Sequence, residues 1–434
     1  MGARHRLSTA IAFGAFCTCW GARASANPFE VLGLTSRHAG QASAAIASVD
    51  DAAALYYNPA GLVARPGIEL SLGTIGAYAH LEHGGRLADP TGAQLAIRAP
   101  LPLAGRWQDR IIIGIALHLL PREVAHIIAP SPDEPYYPYY GDRMSRIVVL
   151  PGAAVQLGRL ALGASLDVLA GFAGTLDASE GATRAIDARA DERIPTAARL
   201  IAGATWQATP CLRLGAVVRQ HFELAFATSA NTTVAGEPID LDLRAAGLFT
   251  PDQLGLGAAW TRGPHVVSID LREARWSDYR GPFVRVDSRL PLVGDIPALS
   301  PRVPFTDTYG ARFGIESHVG RWIVRGGYGF ETSPVPARQT GVTNLLDGPR
   351  HTFALGGGHA WGRIRLDAHV QLQVVQHREL TKLLDDGKHA YDPFTSLRDE
   401  DTATPDVQIT NPGFPGIRGG GQVVSGGLTM AVAL

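Results

Sequence analysis

The sequence has 434 residues and a nearly balanced charge, with 39 Lys and Arg against 40 Asp and Glu. This balance gives no support to nucleic-acid binding, which favours a basic surface. The three cysteines are too few for a disulfide framework, and no run of 18 or more apolar residues after residue 26 predicts a transmembrane helix.

The first 26 residues have the three parts of an export signal. Arg4 and Arg6 make a basic start, residues 7–16 form an apolar core, and Ala-Ser-Ala at 24–26 is a small-residue cleavage site. We predict a signal peptide over residues 1–26 that is removed after Sec-type export. Cys211 is then the one cysteine left in the mature chain, so no intramolecular disulfide or cysteine metal cluster is expected.

Residues 27–66 are rich in Ala, Gly and Ser and lack the alternation of a strand. Asp50 or Asp51 is a suitable start for a short helix, and the pair Asn58-Pro59 is a suitable end. A segment of this length has no room for a core of its own. We therefore predict that residues 27–66, here called the hatch, fold inside the structure formed by the rest of the chain.

Alternating runs of strand length follow from residue 67 to the C-terminus. The clearest covers residues 364–374, where every second residue is apolar and the residues between are polar or charged. One face of such a strand is continuously apolar, and a tilted strand needs about 9–11 residues to cross a bilayer. Weaker runs of the same kind begin at residues 70, 200, 212, 254 and 267. The pattern predicts an all-β membrane protein with a transmembrane barrel over residues 67–434.

The connections between these runs alternate in length. Tight turn signals such as Gly158-Arg159, Gly320-Arg321 and Gly362-Arg363 separate some strands. Long connections lie near residues 82–92, 121–142, 174–193, 227–252, 277–305, 331–350 and 378–421. Outer-membrane barrels have short periplasmic turns and long external loops. Seven long connections join seven hairpins, which predicts about 14 antiparallel strands.

The hatch contains a specific pattern, in which Gly33, Arg37 and Gly40 precede Asp50-Asp51 and then Asn58-Pro59-Ala60. With this pattern, and with later segments at residues 250–257, 325–336 and 351–358, the mature chain resembles the FadL-type family of outer-membrane long-chain fatty acid transporters. The chain departs from the family at its end, because such barrels commonly finish on an aromatic residue and this one finishes on Leu434.

The resemblance implies a 14-stranded barrel, closed by an N-terminal hatch, in the outer membrane of a Gram-negative bacterium. It implies passive uptake of long-chain fatty acids or other hydrophobic molecules, with exit sideways through the wall beside an inward kink in the third strand. Gly114 is the expected kink. The expected gating residues are Asp50, Asp51, Asn58, Pro59, Ala60 and Gly114. The expected surroundings are outer-membrane lipid and lipopolysaccharide around a monomeric barrel.

Two groups of residues are candidates for ligand binding. The second long connection carries apolar and aromatic residues that we interpret as part of an external entry groove: Ile127, Ile128, Tyr136, Tyr137, Tyr139 and Tyr140. An aromatic girdle or simple loop packing is the alternative. Inward arginines at Arg213, Arg219 and Arg325 can pair with a carboxylate headgroup. The alternative is that they pair with Asp and Glu of the lumen as structural ladders.

Other chemistries find little support in the sequence. His359, His369 and His377 are spread over a strand pair without ligand spacing, so we expect no metal, and no nucleotide loop predicts a cofactor. No nucleophile elbow is visible, and we expect no enzyme. Three alternatives remain open: a channel for aromatic or alkane hydrocarbons, a membrane-embedded lipid hydrolase, and a porin for polar solutes, which a plugged lumen would oppose.

Overall fold

The computed structural model describes residues 28–84, 91–119, 134–140, 147–170, 173–180, 186–193, 196–234, 237–290, 294–296, 303–339, 343–382 and 416–434. The predicted signal peptide lies outside these residues, as do Ile127 and Ile128 of the predicted entry groove. In the described ranges, no helix is both long enough and apolar enough to span a membrane.

Antiparallel strands close into a barrel. The closed sheet has fifteen strands, of which Arg338–Gln339 is a two-residue parallel addition at one edge. The other fourteen form the wall: β1 Glu69–Leu81, β2 Thr91–Pro100, β3 Ile111–Leu119, β4 Val148–Leu157, β5 Leu160–Ala170, β6 Thr196–Gln207, β7 Leu212–Arg219, β8 Gln253–Arg262, β9 His265–Ala274, β10 Thr308–Val319, β11 Trp322–Glu331, β12 Arg350–Trp361, β13 Ile364–Lys382 and β14 Gly416–Ala433. Each strand pairs with the next, and β14 pairs with β1. The predicted fold class is confirmed.

In β13 the apolar residues of the alternating run face outward and the polar residues face inward, as predicted. Leu366 and Val370 are 41% and 51% exposed on the outer face. Asp367 and Gln371 are 0% and 3% exposed on the inner face. This apolar outer surface suits lipid, and the polar inner surface suits a lumen.

Exposed tryptophans lie close to the short-turn end of the barrel. They are between 38% and 63% exposed, and each is in a short turn or within a few residues of one: Trp107, Trp206, Trp260, Trp322 and Trp361. Tryptophan is enriched where a membrane protein crosses from hydrocarbon to headgroups. The ring of tryptophans therefore indicates where the wall leaves the membrane at this end.

A second sheet is formed by segments that the sequence predicted as long loops. Its six strands are Ala173–Glu180, Ile186–Arg193, Phe222–Val234, Glu237–Thr250, Val284–Leu290 and Gly294–Ile296. They come from the connections β5–β6, β7–β8 and β9–β10, and a parallel pairing joins the first of these connections to the second. In these three predicted long connections, hairpins therefore continue beyond the barrel strands.

The hatch is made of short helices. They are α1 Pro28–Leu32, α2 Ser36–Ala39, α3 Ala54–Tyr57 and a 3₁₀ helix at Pro59–Ala64. Helix α3 begins at Ala54, later than the predicted start at Asp50 or Asp51, and it ends at Asn58 as predicted.

Almost all of the hatch is buried against the inner wall. Between residues 28 and 62, only Glu30, Ser48 and Asp50 are not fully buried. Apolar hatch residues share one cluster with inward residues of β3, β4, β6 and β7, including Ile46 and Leu55 on the hatch side and Ala116, Leu150 and Val217 on the wall. The hatch therefore fills the part of the lumen on which these strands face.

Candidate functional site in the barrel lumen

The predicted gating residue Asn58 joins the hatch to the wall. Its side-chain amide donates hydrogen bonds to the carbonyl of Ile46, at 2.8 Å, and to the carbonyl of Ala204 on β6, at 3.1 Å. Its side-chain oxygen accepts from the backbone N–H of Ala60, at 3.2 Å. Asn58 therefore ends α3, starts the next helix and ties both to a barrel strand.

Pro59 and Ala60 lie against glycine on the wall. A Cβ atom added at Gly163 of β5 would lie 2.4 Å from the backbone of both residues. A Cβ added at Gly203 of β6 would lie 2.0 Å from Oδ1 of Asn58. These distances leave no room for a side chain, so the hatch backbone approaches the wall backbone directly.

The same contact recurs around the wall. An added Cβ would come within 3.0 Å of a hatch atom at eight positions, here called the glycine belt: Gly152, Gly163, Gly203, Gly215, Gly255, Gly257, Gly314 and Gly327. Three pairs of the belt are directly opposite each other on neighbouring strands, among them Gly163 with Gly203. Sequence reasoning missed the belt, although its members occupy inward positions of the alternating runs.

The acidic pair of the hatch is the centre of a buried ion network. Arg37 donates to both Asp50 and Asp51, and the Arg37–Asp51 distance is 3.1 Å. Its remaining guanidinium groups donate to both carboxylate oxygens of Glu316 on β10, at 2.9 and 3.0 Å. His38 Nε2 lies 3.0 Å from Asp51. The predicted gating aspartates are thus linked through one arginine to the barrel wall.

Opposite charges keep this network ionised. Burial alone would lower the pKa of Arg37, but the surrounding carboxylates hold it well above its ordinary value. Burial alone would raise the pKa of Asp51, but His38, Arg37 and Arg365 hold it well below its ordinary value. The pKa of Asp50 is also lowered. The hatch is therefore held by full charges at neutral pH.

The three arginines predicted to bind a headgroup are engaged with protein groups. Arg213 donates to the carbonyl of Ser48 at 2.8 Å. Arg219 donates to the carbonyls of Tyr56 and Tyr57 at 2.9 and 3.1 Å.

Arg325 of β11 pairs with wall carboxylates. It donates to Glu316 at 2.7 Å and to Asp367 at 2.8 Å. The role of Arg213, Arg219 and Arg325 in ligand binding stays a prediction. Of the three, Arg325 has the carboxylate partners that the structural alternative requires, whereas Arg213 and Arg219 donate to carbonyls of the hatch.

The tyrosines of the predicted entry groove, which are Tyr136, Tyr137, Tyr139 and Tyr140, are buried. They do not form the exposed apolar surface that was expected of the groove, and their part in ligand binding stays a prediction. They are between 0% and 8% exposed. The Tyr140 hydroxyl donates to Gln373 on β13 at 3.1 Å, and Tyr137 donates to the carbonyl of Glu82 at 2.9 Å. Tyr140 therefore contacts the inner face of β13, and Tyr137 contacts the turn that follows β1.

Tyr139 lies beside a charged group at the long-loop end of the lumen. The guanidinium of Arg350 is centred 3.4 Å above the Tyr139 ring, and it also donates to Asp347 at 2.9 and 3.0 Å. Two small cavities, of about 30 and 10 Å³, share Glu30, Tyr139, Arg312 and Glu331 in their walls. The larger has room for about two water molecules and the smaller for about one.

The predicted kink in the third strand has no break in its hydrogen-bonded register. Gly114 is paired with Arg98 on β2 and with Gly152 on β4. The ladder is interrupted one strand later, because β4 and β5 pair at Val149 and again at Gly152 but not between them. Pro151 lies in this gap, and proline has no N–H to donate.

The described residues contain no group of three or more His, Cys, Asp or Glu side chains that could hold a metal ion. Cys211 is an exposed free thiol. The histidines His359 and His369 lie on neighbouring strands, with His359 opposite Leu366 and His369 opposite Gly356.

A closed antiparallel barrel with an apolar outer face and a lumen filled by its own N-terminal segment defines a plugged barrel of the outer-membrane type. No family model matches the sequence. The alkane uptake protein A of Marinobacter nauticus is 24% identical over 163 residues, which are 36% of this chain and 35% of that protein. The match thus spans about a third of that relative's length.

Solved structures with the same architecture cover nearly the whole chain. The CymD monoaromatic hydrocarbon channel has a TM-score of 0.56 and 17% identity, over 94% of this chain and 99% of CymD. A FadL homologue from Pseudomonas aeruginosa has a TM-score of 0.56 and 12% identity, over 95% and 100%. The Ralstonia pickettii toluene transporter TbuX has a TM-score of 0.53 and 16% identity, over 94% and 100%.

At these identities the likeness shows the fold alone, and it confirms the FadL-type architecture predicted from the sequence. CymD is named as a channel, and TbuX as a transporter. The alternative of a membrane-embedded lipid hydrolase finds no support among these proteins.

Proposed function

We propose that this protein is a passive outer-membrane channel for hydrophobic small molecules. The observation that carries the proposal is a lumen filled by the hatch, inside a wall whose outer face is apolar. Almost every hatch residue from 28 to 62 is buried. A water-filled pore is a poor route for an acyl or alkyl chain, because its solvation costs about 0.8 kcal/mol per CH₂. A solute that exchanges one protein contact for another avoids this cost.

Long-chain fatty acids are the first proposed substrate, on the strength of the arginines that face the lumen. Neutral hydrocarbons are the second, and one observation favours them. Arg213, Arg219 and Arg325 already donate to hatch carbonyls or wall carboxylates. A carboxylate must displace one of these partners, whereas a hydrocarbon leaves them in place.

The hatch is the proposed gate. Its contacts with the wall include buried ion pairs and the hydrogen bonds of Asn58. These contacts must be broken or exchanged for the hatch to move. A solute that binds better to a displaced hatch would shift the population towards it. No energy source is needed in this scheme, because the solute moves down its own gradient.

The gap in the ladder beside Pro151 is the proposed lateral exit. Leu150 faces the hatch cluster, and the wall lacks strand pairing at this level between β4 and β5. Separating the strands there breaks fewer hydrogen bonds than separating an unbroken stretch of ladder of the same length. The solute would then enter the hydrocarbon of the membrane without crossing water.

The test is uptake by cells that lack their own fatty acid transporter and carry this protein. Labelled oleate, toluene and hexadecane are offered separately, and insertion is checked by the heat-shifted gel mobility of the folded barrel. Saturable uptake of oleate supports the first substrate class, and uptake of only the hydrocarbons supports the second. An inserted barrel that takes up none of them overturns the proposed function.

A further inference from the structure

A third cavity opens at the short-turn end of the barrel, below the hatch. Its volume is about 230 Å³, larger than either cavity near Tyr139. Six arginines line it: Arg37, Arg65, Arg321, Arg325, Arg363 and Arg365. The short-turn end faces the periplasm in bacterial outer-membrane barrels.

Four of these arginines have carboxylate partners within the lumen. Arg37 and Arg65 pair with Asp50 of the hatch. Arg325 and Arg365 share Asp367 of β13, at 2.8 and 2.7 Å. Their charges are therefore largely balanced within the protein.

The other two arginines stand at the rim. Arg321 and Arg363 are exposed, and among the described residues neither guanidinium makes an ion pair or a hydrogen bond. They follow the turn glycines Gly320 and Gly362, whose φ angles of 62° and 59° close the hairpins β10–β11 and β12–β13. The mouth of the cavity thus has two positive charges without an internal partner.

The strand pairing keeps the two rim arginines on neighbouring turns. The backbone N–H of Ala360 donates to the carbonyl of Arg321 at 3.0 Å, and Ala360 lies three positions before Arg363. Apolar residues line the same cavity, among them Ile323 and Ala431, which are each 5% exposed. The site therefore offers unpaired positive charge at its mouth. Further in, it offers apolar residues beside ion-paired side chains, and Glu69 and Glu316 are among its lining residues.

We propose that this cavity binds the anionic headgroup of an amphipathic molecule, with a carboxylate or phosphate between Arg321 and Arg363. The guanidinium fork matches both groups, because each presents oxygens that accept paired N–H bonds. The first methylenes of the chain would lie on the apolar part of the cavity.

Two sources have this chemistry. One is the carboxylate of a fatty acid that is inside the lumen before its lateral exit, and this source alone rests on the proposed function. The other is a phospholipid of the inner leaflet of the outer membrane, whose phosphate lies at the level of the short turns. The site itself stands without either assignment.

The experiment is calorimetric titration of the purified full-length barrel, in neutral detergent, with decyl phosphate, decanoate and decanol. The test variant is Arg321→Ala with Arg363→Ala. The matched control is Arg110→Ala with Arg159→Ala, which removes two exposed arginines from the same end of the barrel but outside the cavity. Heat-shifted gel mobility shows that each variant is folded.

We expect decyl phosphate to bind the unmodified barrel and the control within threefold of each other, and the test variant at least tenfold more weakly. A rise in salt should weaken this binding, since exposed charges are screened. The affinity of the variant Arg321→Lys with Arg363→Lys for decyl phosphate should lie between those of the unmodified barrel and the test variant. Lysine keeps the positive charge but lacks the paired N–H groups of the guanidinium. Equal affinity in the test variant and the control, or equal binding of decanol, overturns the site.

Two further measurements distinguish the sources. If the fatty acid is the occupant, decanoate competes with decyl phosphate and the test variant slows oleate uptake. If the phospholipid is the occupant, uptake is unchanged and the test variant copurifies with less phosphatidylglycerol than the control does. Because the titration needs no transport, loss of the proposed function would leave its result unaffected.

Discussion

The side-chain amide of Asn58 donates a hydrogen bond to the carbonyl of Ala204, 146 positions further along the chain. The same amide also donates to the carbonyl of Ile46 within the hatch. One fully buried side chain thus fixes the hatch to itself and to the wall. A substitution at Asn58 should therefore affect hatch docking but not barrel formation, because Asn58 takes no part in the strand ladders.

We expect Asn58→Ala to insert normally and to impair uptake. The carbonyl of Ile46 loses its partner in a buried position, which costs roughly 1–3 kcal/mol. Initial rates of oleate or hydrocarbon uptake, normalised to the heat-shifted folded band, measure the effect. Ser48→Ala is the control, since it removes a single hydrogen bond within the hatch. Uptake equal to that of the unmodified protein would show that Asn58 has no part in gating.

We expect Gly203→Ala to displace the hatch and make the barrel conduct ions. The new methyl group would lie 2.0 Å from Oδ1 of Asn58, and both atoms belong to a packed interface. Gly357→Ala is the matched control on β12, because its Cβ would meet nothing within 4 Å. Conductance in planar lipid bilayers is the measurement. If the Gly203→Ala barrel does not conduct, the hatch can shift away from the new methyl group without opening a path for ions.

We expect the contribution of Asp50 and Asp51 to hatch docking to be constant from about pH 8 to 5 and to be lost only in strong acid. The folded-state pKa values of Asp50 and Asp51 are lowered, and ordinary Asp has a pKa of about 3.9. Their stabilisation is therefore complete above the ordinary value and is lost as the pH falls through the lowered one. Bilayer conductance as a function of pH tests this, and opening near pH 6 would contradict it.

The charge itself can be removed at neutral pH. Asp51→Asn leaves Arg37 and His38 with less negative charge in a buried site, and breaking such a pair typically costs about 3–5 kcal/mol. We expect conductance at pH 7 from this variant. Asp252→Asn is the control, because Asp252 pairs with His221 at the surface, where 38% of the aspartate side chain is exposed. If neither Asp51→Asn nor Asp252→Asn conducts at pH 7, the ion network is not needed for docking.

We expect a disulfide across the gap at Pro151 to block the lateral exit. Pro151 and Leu166 occupy corresponding positions when the register of Val149–Val168 and Gly152–Ser165 is continued across the gap. Pro151→Cys with Leu166→Cys, in a Cys211→Ser background, therefore places two thiols across it. Uptake should fall several-fold on oxidation and return on reduction. The control pair is Ala258→Cys with Ile269→Cys, which are opposite in an unbroken ladder. Unchanged uptake with a formed disulfide would place the exit elsewhere.

The barrel could be predicted because every second residue of a membrane-spanning strand faces lipid and is apolar, while the residues between face the lumen. In β13 the exposed Leu366 and the buried Asp367 occupy opposite faces, as the period of 2 requires. The strand Glu237–Thr250 was missed, although Ile239, Leu241 and Leu243 alternate with polar residues within it. It belongs to the second sheet, outside the fourteen strands of the wall, and the length of its connection favoured a loop.

The site was less predictable because its partners are distant in sequence. Asp50 and Asp51 stood out beside Asn58, but no local pattern shows that Arg37 would meet Glu316, 279 positions away. Tyr140 was expected at the surface since its own segment is apolar and aromatic. Its partner Gln373 lies on a strand 233 positions later, and only the closed barrel brings the two together.

The seam between the first and last strands has a consequence for assembly. β1 pairs with β14 from Glu69 opposite Ala433 to Leu81 opposite Gly421, so the wall closes only when the C-terminal strand arrives. The glycine belt leaves no clearance around a docked hatch. We therefore expect the strands to wrap around a hatch already in place, and a hatch peptide supplied in trans to fail to restore a barrel that was closed without one.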